Sequence, residues 1–274
     1  MSKSLSSPHN SMANIKTRIS CKTSRLIEIA LGELVGSAML MFFGCMSLVQ
    51  GFSSTPLPSM QPGLIFGFVV STVICVFGHI SGAHLNPTVS ISAYLFESIC
   101  SIELVVYILS QVFGCLVGVG LLNIITPDVI MYPAVHGPVN GFCTTVPHPS
   151  LSTVQAFLAE FFATSLLIFT CCGIWDSRNA RFGDSNAIKF ALVVALLSIT
   201  VGPYTGCSMN PARSLAPAFY SNQWTQHWLY WVSPILASVV TTLVYKFVFS
   251  KEHQWKNRSE QLGPADAESS VPIN

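Results

Sequence analysis

Ser208-Met209-Asn210-Pro211-Ala212-Arg213 and, earlier in the chain, Ala83-His84-Leu85-Asn86-Pro87-Thr88 each set an Asn-Pro pair inside an apolar stretch. Asn is a favoured helix N-cap and Pro a favoured first helical residue, so each pair reads as an abrupt helix start. From Asn86 to Phe96, and again from Asn210 to Tyr220, runs of about 11 residues at ~1.5 Å rise reach ~16 Å, about half of a ~30 Å hydrocarbon core. Each run is expected to be a half-span. The irregular backbone before such a helix is tolerated at membrane depth only where it is buried in protein or lines a water-filled cavity, which implies a polar pathway.

The two stretches sit at matching places in two halves of the chain. Ser81-Gly82 and Thr205-Gly206 each stand shortly before their Asn, the two Asn residues are offset by 124 (210 − 86), and Glu33 and Glu160 by 127 (160 − 33). Paired interruptions of this kind point to an inverted-repeat membrane protein with its site near the bilayer midplane.

Composition agrees. Of 274 residues 51% are hydrophobic and only 9% charged, against roughly 25% charged in soluble domains. No Asp, Glu, Lys or Arg occurs between Leu34 and Phe96 or between Ser214 and Tyr245, lengths that must contain spanning segments. The expected fold is an all-α membrane protein of six transmembrane helices and two re-entrant half-helices. The spans are expected near Leu26–Gln50, Gly63–Gly78, Ile102–Ile125, Val154–Ile174, Asn186–Val201 and His227–Phe249. Residues 1–25 read as a disordered leader, 26–250 as the channel domain with repeats at about 26–125 and 154–250, and 251–274 as a disordered tail.

A net charge of +1 suggests no nucleic-acid partner, but the distribution of charge is informative. Of 13 Lys and Arg, all but Arg213 lie before the first span, around the fourth connection or after the last span, which six spans put on one side. The positive-inside rule makes that side cytoplasmic. The nine Cys residues, with no CxxC, read as packed small hydrophobes, and no disulfide framework is expected.

Gly78-His79-Ile80-Ser81-Gly82-Ala83-His84-Leu85-Asn86-Pro87 and Tyr204-Thr205-Gly206-Cys207-Ser208-Met209-Asn210-Pro211-Ala212-Arg213-Ser214 resemble the two pore loops of the aquaporins. The resemblance implies a passive channel, assembled as a homotetramer, with Asn86-Pro87-Thr88 and Asn210-Pro211-Ala212 at its centre. It places Phe66, Ser198, Cys207 and Arg213 at an outer constriction. Ser198 departs from water-selective members, which carry His there, while Ser214 and Tyr230-Trp231 follow the water-channel pattern. The combination resembles the insect entomoglyceroporins, water-channel relatives with a small residue in place of the filter His. Thr88 stands where the family usually has Ala, adding bulk and a hydroxyl near the midplane.

Dipole ends of half-helices and an Arg are the devices by which such pores oppose cations and protons. A charge as deep as Arg213 is expensive unless it serves a pathway or an ion pair, for which Glu160 is the candidate partner in the second half. Glu33 and Glu160, as intramembrane carboxylates, read either as proton-relay groups or as acceptors for pore-loop amides, and the resemblance implies the bracing role. His79 and His84 lack further ligands at metal spacing, so neither a metal nor a cofactor is expected. No Ser/His, paired-Asp or zinc-ligand pattern supports an enzyme. The expected function is passive conduction of water, glycerol and urea through the plasma membrane, with a water-only channel, or a structural or adhesion protein with an incidental pore, as the alternatives.

The charge distribution predicts that both termini are cytoplasmic. Tags at residues 1 and 274 should resist extracellular protease on intact cells, whereas the loop from Pro127 to Pro149 is cut; cleavage of either tag without permeabilisation contradicts the six-span topology.

Overall fold

The computed structural model describes residues 23–50, 52, 60–131 and 141–250, and these are helices and connections with no strand among them. The expected tail, and the leader up to residue 22, lie outside the described residues. Five helices are long and apolar enough to span a membrane: α1 (Thr23–Met46), α4 (Ser101–Ile125), α6 (Thr153–Trp175), α7 (Asn186–Thr205, preceded by a 3-10 stretch Ser177–Ser185) and α9 (Leu229–Val244, continued by a π turn to Phe249). A sixth apolar helix, α2 (Gln61–Phe77), is shorter. The half-helices are α3 (Pro87–Leu95) and α8 (Pro211–Ser221), and α5 (Asp128–Met131) is a single turn.

Local chemistry sets these boundaries. Asn86 and Asn210 are extended N-caps, each followed by Pro at the first helical position. Ser152 and Gln155 form a capping box at α6, as Cys100 and Glu103 do at α4, so the first amides of both helices are satisfied. Helix α7 ends where Gly206 turns left-handed.

Packing follows the internal repeat: α1 lies against α4 as α6 lies against α9, α2 crosses to α7, α3 packs on α9, and α8 on α4. Small residues allow the close approaches. A Cβ at Gly114 or Gly118 of α4 would fall 2.3 Å from a carbonyl oxygen of α1, that of Leu34 or Ala38. The outward faces are apolar, with Leu31, Phe113, Phe162 and Leu192 exposed, while Glu33, Gln111, Asn86, Glu160, Asn210 and Arg213 are buried. Apolar outside and polar within is the arrangement hydrocarbon solvent demands.

The cysteine expectation is corrected by a disulfide between Cys45 and Cys143. The partners are 98 residues apart in sequence, one in the last turns of α1 and one in the segment before α6, so the fold rather than any local spacing brings them together.

At the α6 end, Arg178 Nε and Nη2 donate to Asp176, which also accepts from Tyr245, and Arg178 reaches the Phe249 carbonyl at 2.8 Å. The Arg178 hydrogen bonds hold the Asp176 carboxyl down to about 2. A depressed folded-state pKa contributes stability that is full above the unfolded value, declines as pH falls below it, and is gone once pH has fallen through the folded one.

The two loops before α3 and α8 put Ala83, Leu85, Cys207 and Met209 at positive φ, between 47° and 56°, a region costly for residues with a Cβ. Each loop is held by a carboxylate. Glu160 accepts from Thr205 Oγ1 and from the Ser208 and Met209 amides, and Glu33 accepts from Ser81 Oγ, the His84 and Leu85 amides and Gln111 Nε2. Replacing Glu160 by Gln sets an NH₂ donor against a buried donor. Glu160→Gln should therefore cost about 2 kcal/mol or more, the scale for leaving a buried polar group unsatisfied. The check is a lower thermal midpoint in detergent, and an unchanged midpoint contradicts the bracing.

Candidate channel site

The N-termini of α3 and α8 meet in the interior, joined by reciprocal hydrogen bonds. Asn86 Nδ2 donates to the Met209 carbonyl at 2.9 Å, and Asn210 Nδ2 donates to the Leu85 carbonyl at 2.8 Å. Each Asn thus uses its oxygen on its own helix and its NH₂ on the opposite loop. Asn210 Oδ1 caps the Ala212 and Arg213 amides, whereas Asn86 Oδ1 accepts the Thr88 amide and the Thr88 hydroxyl.

Thr88 is fully buried, and its hydroxyl also lies 3.1 Å from the Met209 carbonyl. The bulk it adds goes into the junction between the loops, away from the cavity lining. Pro87, Pro211 and Ala212 are likewise buried at this junction.

A cavity of about 670 Å³ passes the junction, lined by Asn86 and Asn210 together with Phe66, Ser198, Cys207 and Arg213. The fold brings these four together from α2, α7, the second loop and α8. Arg213 is buried, 7% exposed, with its guanidinium carbon 5.2 Å from the Phe66 ring centre. Its Nη1 donates to the Cys143 carbonyl at 2.7 Å, and it forms none of the ion pairs among the described residues, so it is not paired with Glu160. The lining continues to His84, Trp175 and Phe190 at the other end. His84 stacks on Tyr107 with ring centres 4.3 Å apart, and no cluster of metal-ligating side chains occurs among the described residues.

Residues 20–245 match the profile of the major intrinsic proteins. The chain belongs to that family, whose aquaporin members are membrane channels. It is 34% identical to aquaporin-4 of Mus musculus over 232 residues, 84% of this chain and 69% of that protein. With aquaporin-2 of Bos taurus the identity is 31%, over 80% of this chain and 77% of that one. Against the human aquaporin-4 this chain spans 64% of its relative's length. The aquaglyceroporin of Plasmodium falciparum has a similar structure, with a TM-score of 0.72 at 26% identity, covering 84% of this chain and 99% of that one.

Sequence reasoning missed several of the contacts that shape this major intrinsic protein's site. Tyr107 donates to the Ser81 carbonyl and Tyr230 to the Thr205 carbonyl, so the loops are tied by equivalent tyrosines. Their offset of 123 (230 − 107) nearly repeats that of the Asn-Pro pairs, a signal available in the sequence. Gln111, which bridges Glu33 and Ser90, gave no comparable signal. Nor did Cys143, whose backbone oxygen meets Arg213.

Among the described cysteines, Cys45 and Cys143 are spent in the disulfide, Cys115, Cys171 and Cys172 are buried off the cavity, and Cys75 is exposed on α2. Cys207 is the free thiol that lines the cavity. A mercurial should block permeation, and Cys207→Ser should remove the block with transport retained. Undiminished inhibition of Cys207→Ser contradicts this placement.

Proposed function

We propose that the protein conducts water and small uncharged solutes, glycerol and urea among them, across the plasma membrane, excludes ions and protons, and keeps both termini in the cytoplasm. The observation that carries the reading is a cavity whose lining includes Ser198, Arg213, Phe66 and Cys207. Glycerol needs width and an apolar wall for its carbons, together with hydrogen-bonding partners for hydroxyls leaving water. In this reading Phe66 is the apolar wall, Arg213 supplies donors, and Ser198 leaves room an imidazole would fill.

Charge exclusion follows from the same residues. Asn86 and Asn210 cap α3 and α8 where the N-termini of both helices meet, so two positive dipole ends face one region, and Arg213 adds a full charge. Both Asn residues line the cavity, and the second N–H of each amide, beyond the one given to the opposite loop, is the donor this reading assigns to a neutral permeant. The glycerol assignment draws further support from the likeness to a solved aquaglyceroporin. A homotetramer is part of the proposal by family resemblance alone.

Stopped-flow swelling of vesicles containing the purified protein tests the reading. The wild type should pass water, glycerol and urea. Ser198→His should abolish glycerol flux and largely retain water flux, because steric exclusion at a constriction acts more steeply on the larger solute. Protein incorporated per vesicle is measured alongside. A wild type that excludes glycerol, or a Ser198→His that passes it undiminished, leaves the water-only channel in its place.

A further inference from the structure

Arg213 is a buried cation that meets a backbone oxygen and no carboxylate among the described residues. The direction in which its guanidinium points is therefore set by where the Cys143 carbonyl lies. A carbonyl in an irregular segment is as well placed as the segment itself. Cys143 is at φ 60°, a left-handed conformation that a Cβ-bearing residue does not hold by its own preference.

Contacts at Cys143 and downstream of it fix that segment. Downstream, Thr145 Oγ1 and Ser214 Oγ are 2.7 Å apart and the His148 amide donates to the Tyr204 carbonyl, tying the chain to α8 and the end of α7. At Cys143 itself the tie is covalent and runs to Cys45 on α1. The same turn of α1 also seats the other wall of the site. Gly44 lies flat against Phe66, since a Cβ there would fall 2.4 Å from the ring. One turn of helix thus positions Phe66 by packing and Arg213 through a disulfide and a carbonyl.

We propose that the Cys45–Cys143 disulfide is a positioning element of the constriction, holding the Cys143 carbonyl against Arg213 so that the guanidinium limits the size of solute admitted. It rests on the proposed filter reading of Phe66, Ser198, Cys207 and Arg213. With the disulfide absent, the Cys143 carbonyl loses its covalent tie to α1 and is held less closely against Arg213, and an arginine with a displaced acceptor swings aside or turns to the permeant.

The test is solute cut-off, measured as the ratio of flux of a four-carbon polyol, erythritol, to flux of water in proteoliposomes. Peptide mapping without reductant should first find residues 45 and 143 linked in the wild type; two free thiols there overturn the proposal. The double variant Cys45→Ala/Cys143→Ala should raise the ratio by about tenfold, on the scale of one charge-assisted hydrogen bond. A disulfide that serves stability alone lowers the thermal midpoint and the number of active channels, scaling both fluxes equally. An unchanged ratio therefore overturns the proposal.

If the double variant does not fold, wild-type vesicles reduced with a phosphine, with loss of the linkage verified by mass, give the same ratio. On an Arg213→Leu background the cysteine substitutions should add less than about twofold, because residues acting through one contact are not additive. The full increase on that background shows a route that bypasses Arg213 and overturns the proposal. Ser198→His separates the two readings. A glycerol block by that variant with no effect of the cysteine pair rejects the disulfide's role alone, whereas no glycerol block rejects the filter on which it rests.

Discussion

A peptide group in hydrocarbon has to find its hydrogen bond within the protein, and the two loops before α3 and α8 run where no helix or sheet supplies one. Two buried carboxylates meet that demand. Glu33 receives the His84 and Leu85 amides, and Glu160 receives those of Ser208 and Met209. Those amides flank or belong to residues forced to positive φ, so the carboxylates satisfy donors and hold an uncommon backbone conformation together. Once both loops are held, their next residues become helix N-caps pointing at each other. The central Asn pair, the meeting of the helix dipoles and the placing of Arg213 one turn into α8 all follow from that geometry.

The repeat is close to symmetric, and its departures are instructive. Asn210 caps two amides of its own helix, but Asn86 caps one amide and accepts the Thr88 hydroxyl. That hydroxyl and the Asn86 NH₂ both reach the Met209 carbonyl. An Ala, which the second motif has in Ala212, makes neither side-chain contact. Thr88 consequently adds hydrogen bonds to the junction between the loops rather than an obstacle in the cavity.

What the sequence disclosed depended on how local the physics was. Asn-Pro starts a helix by a preference spanning three residues, so α3 and α8 were placed within a residue or two. The offset between the two motifs then led to Glu33 and Glu160, because an internal repeat carries a three-dimensional equivalence into linear spacing. Phe66, Ser198 and Cys207 came through the family resemblance, since nothing near them in the chain marks them as neighbours. The disulfide was misread: burial and disulfide bonding draw on the same residue type in the same apolar setting, and a pair 98 residues apart declares itself only after folding. The acceptor for Arg213 was invisible for a further reason, because every residue has a carbonyl and no letter in the sequence says which one turns inward.

Side chains and backbone act on the contents of a cavity in different ways. Ser198 and Phe66 line the cavity with their side chains, and in the proposed reading exchanging either one changes the space available. A charged group acts differently, because its effect depends on the direction in which its donors are held, and Arg213 is held by backbone. A donor already engaged by a carbonyl is restricted in the directions it can take. On the proposed filter reading, two chains with the same side chains at these four positions differ in what they admit when the segment over the second half-helix is anchored differently. In this protein Cys143, whose carbonyl meets Arg213, is anchored to Cys45 near the end of α1, a helix that also contributes Leu40 to the cavity lining.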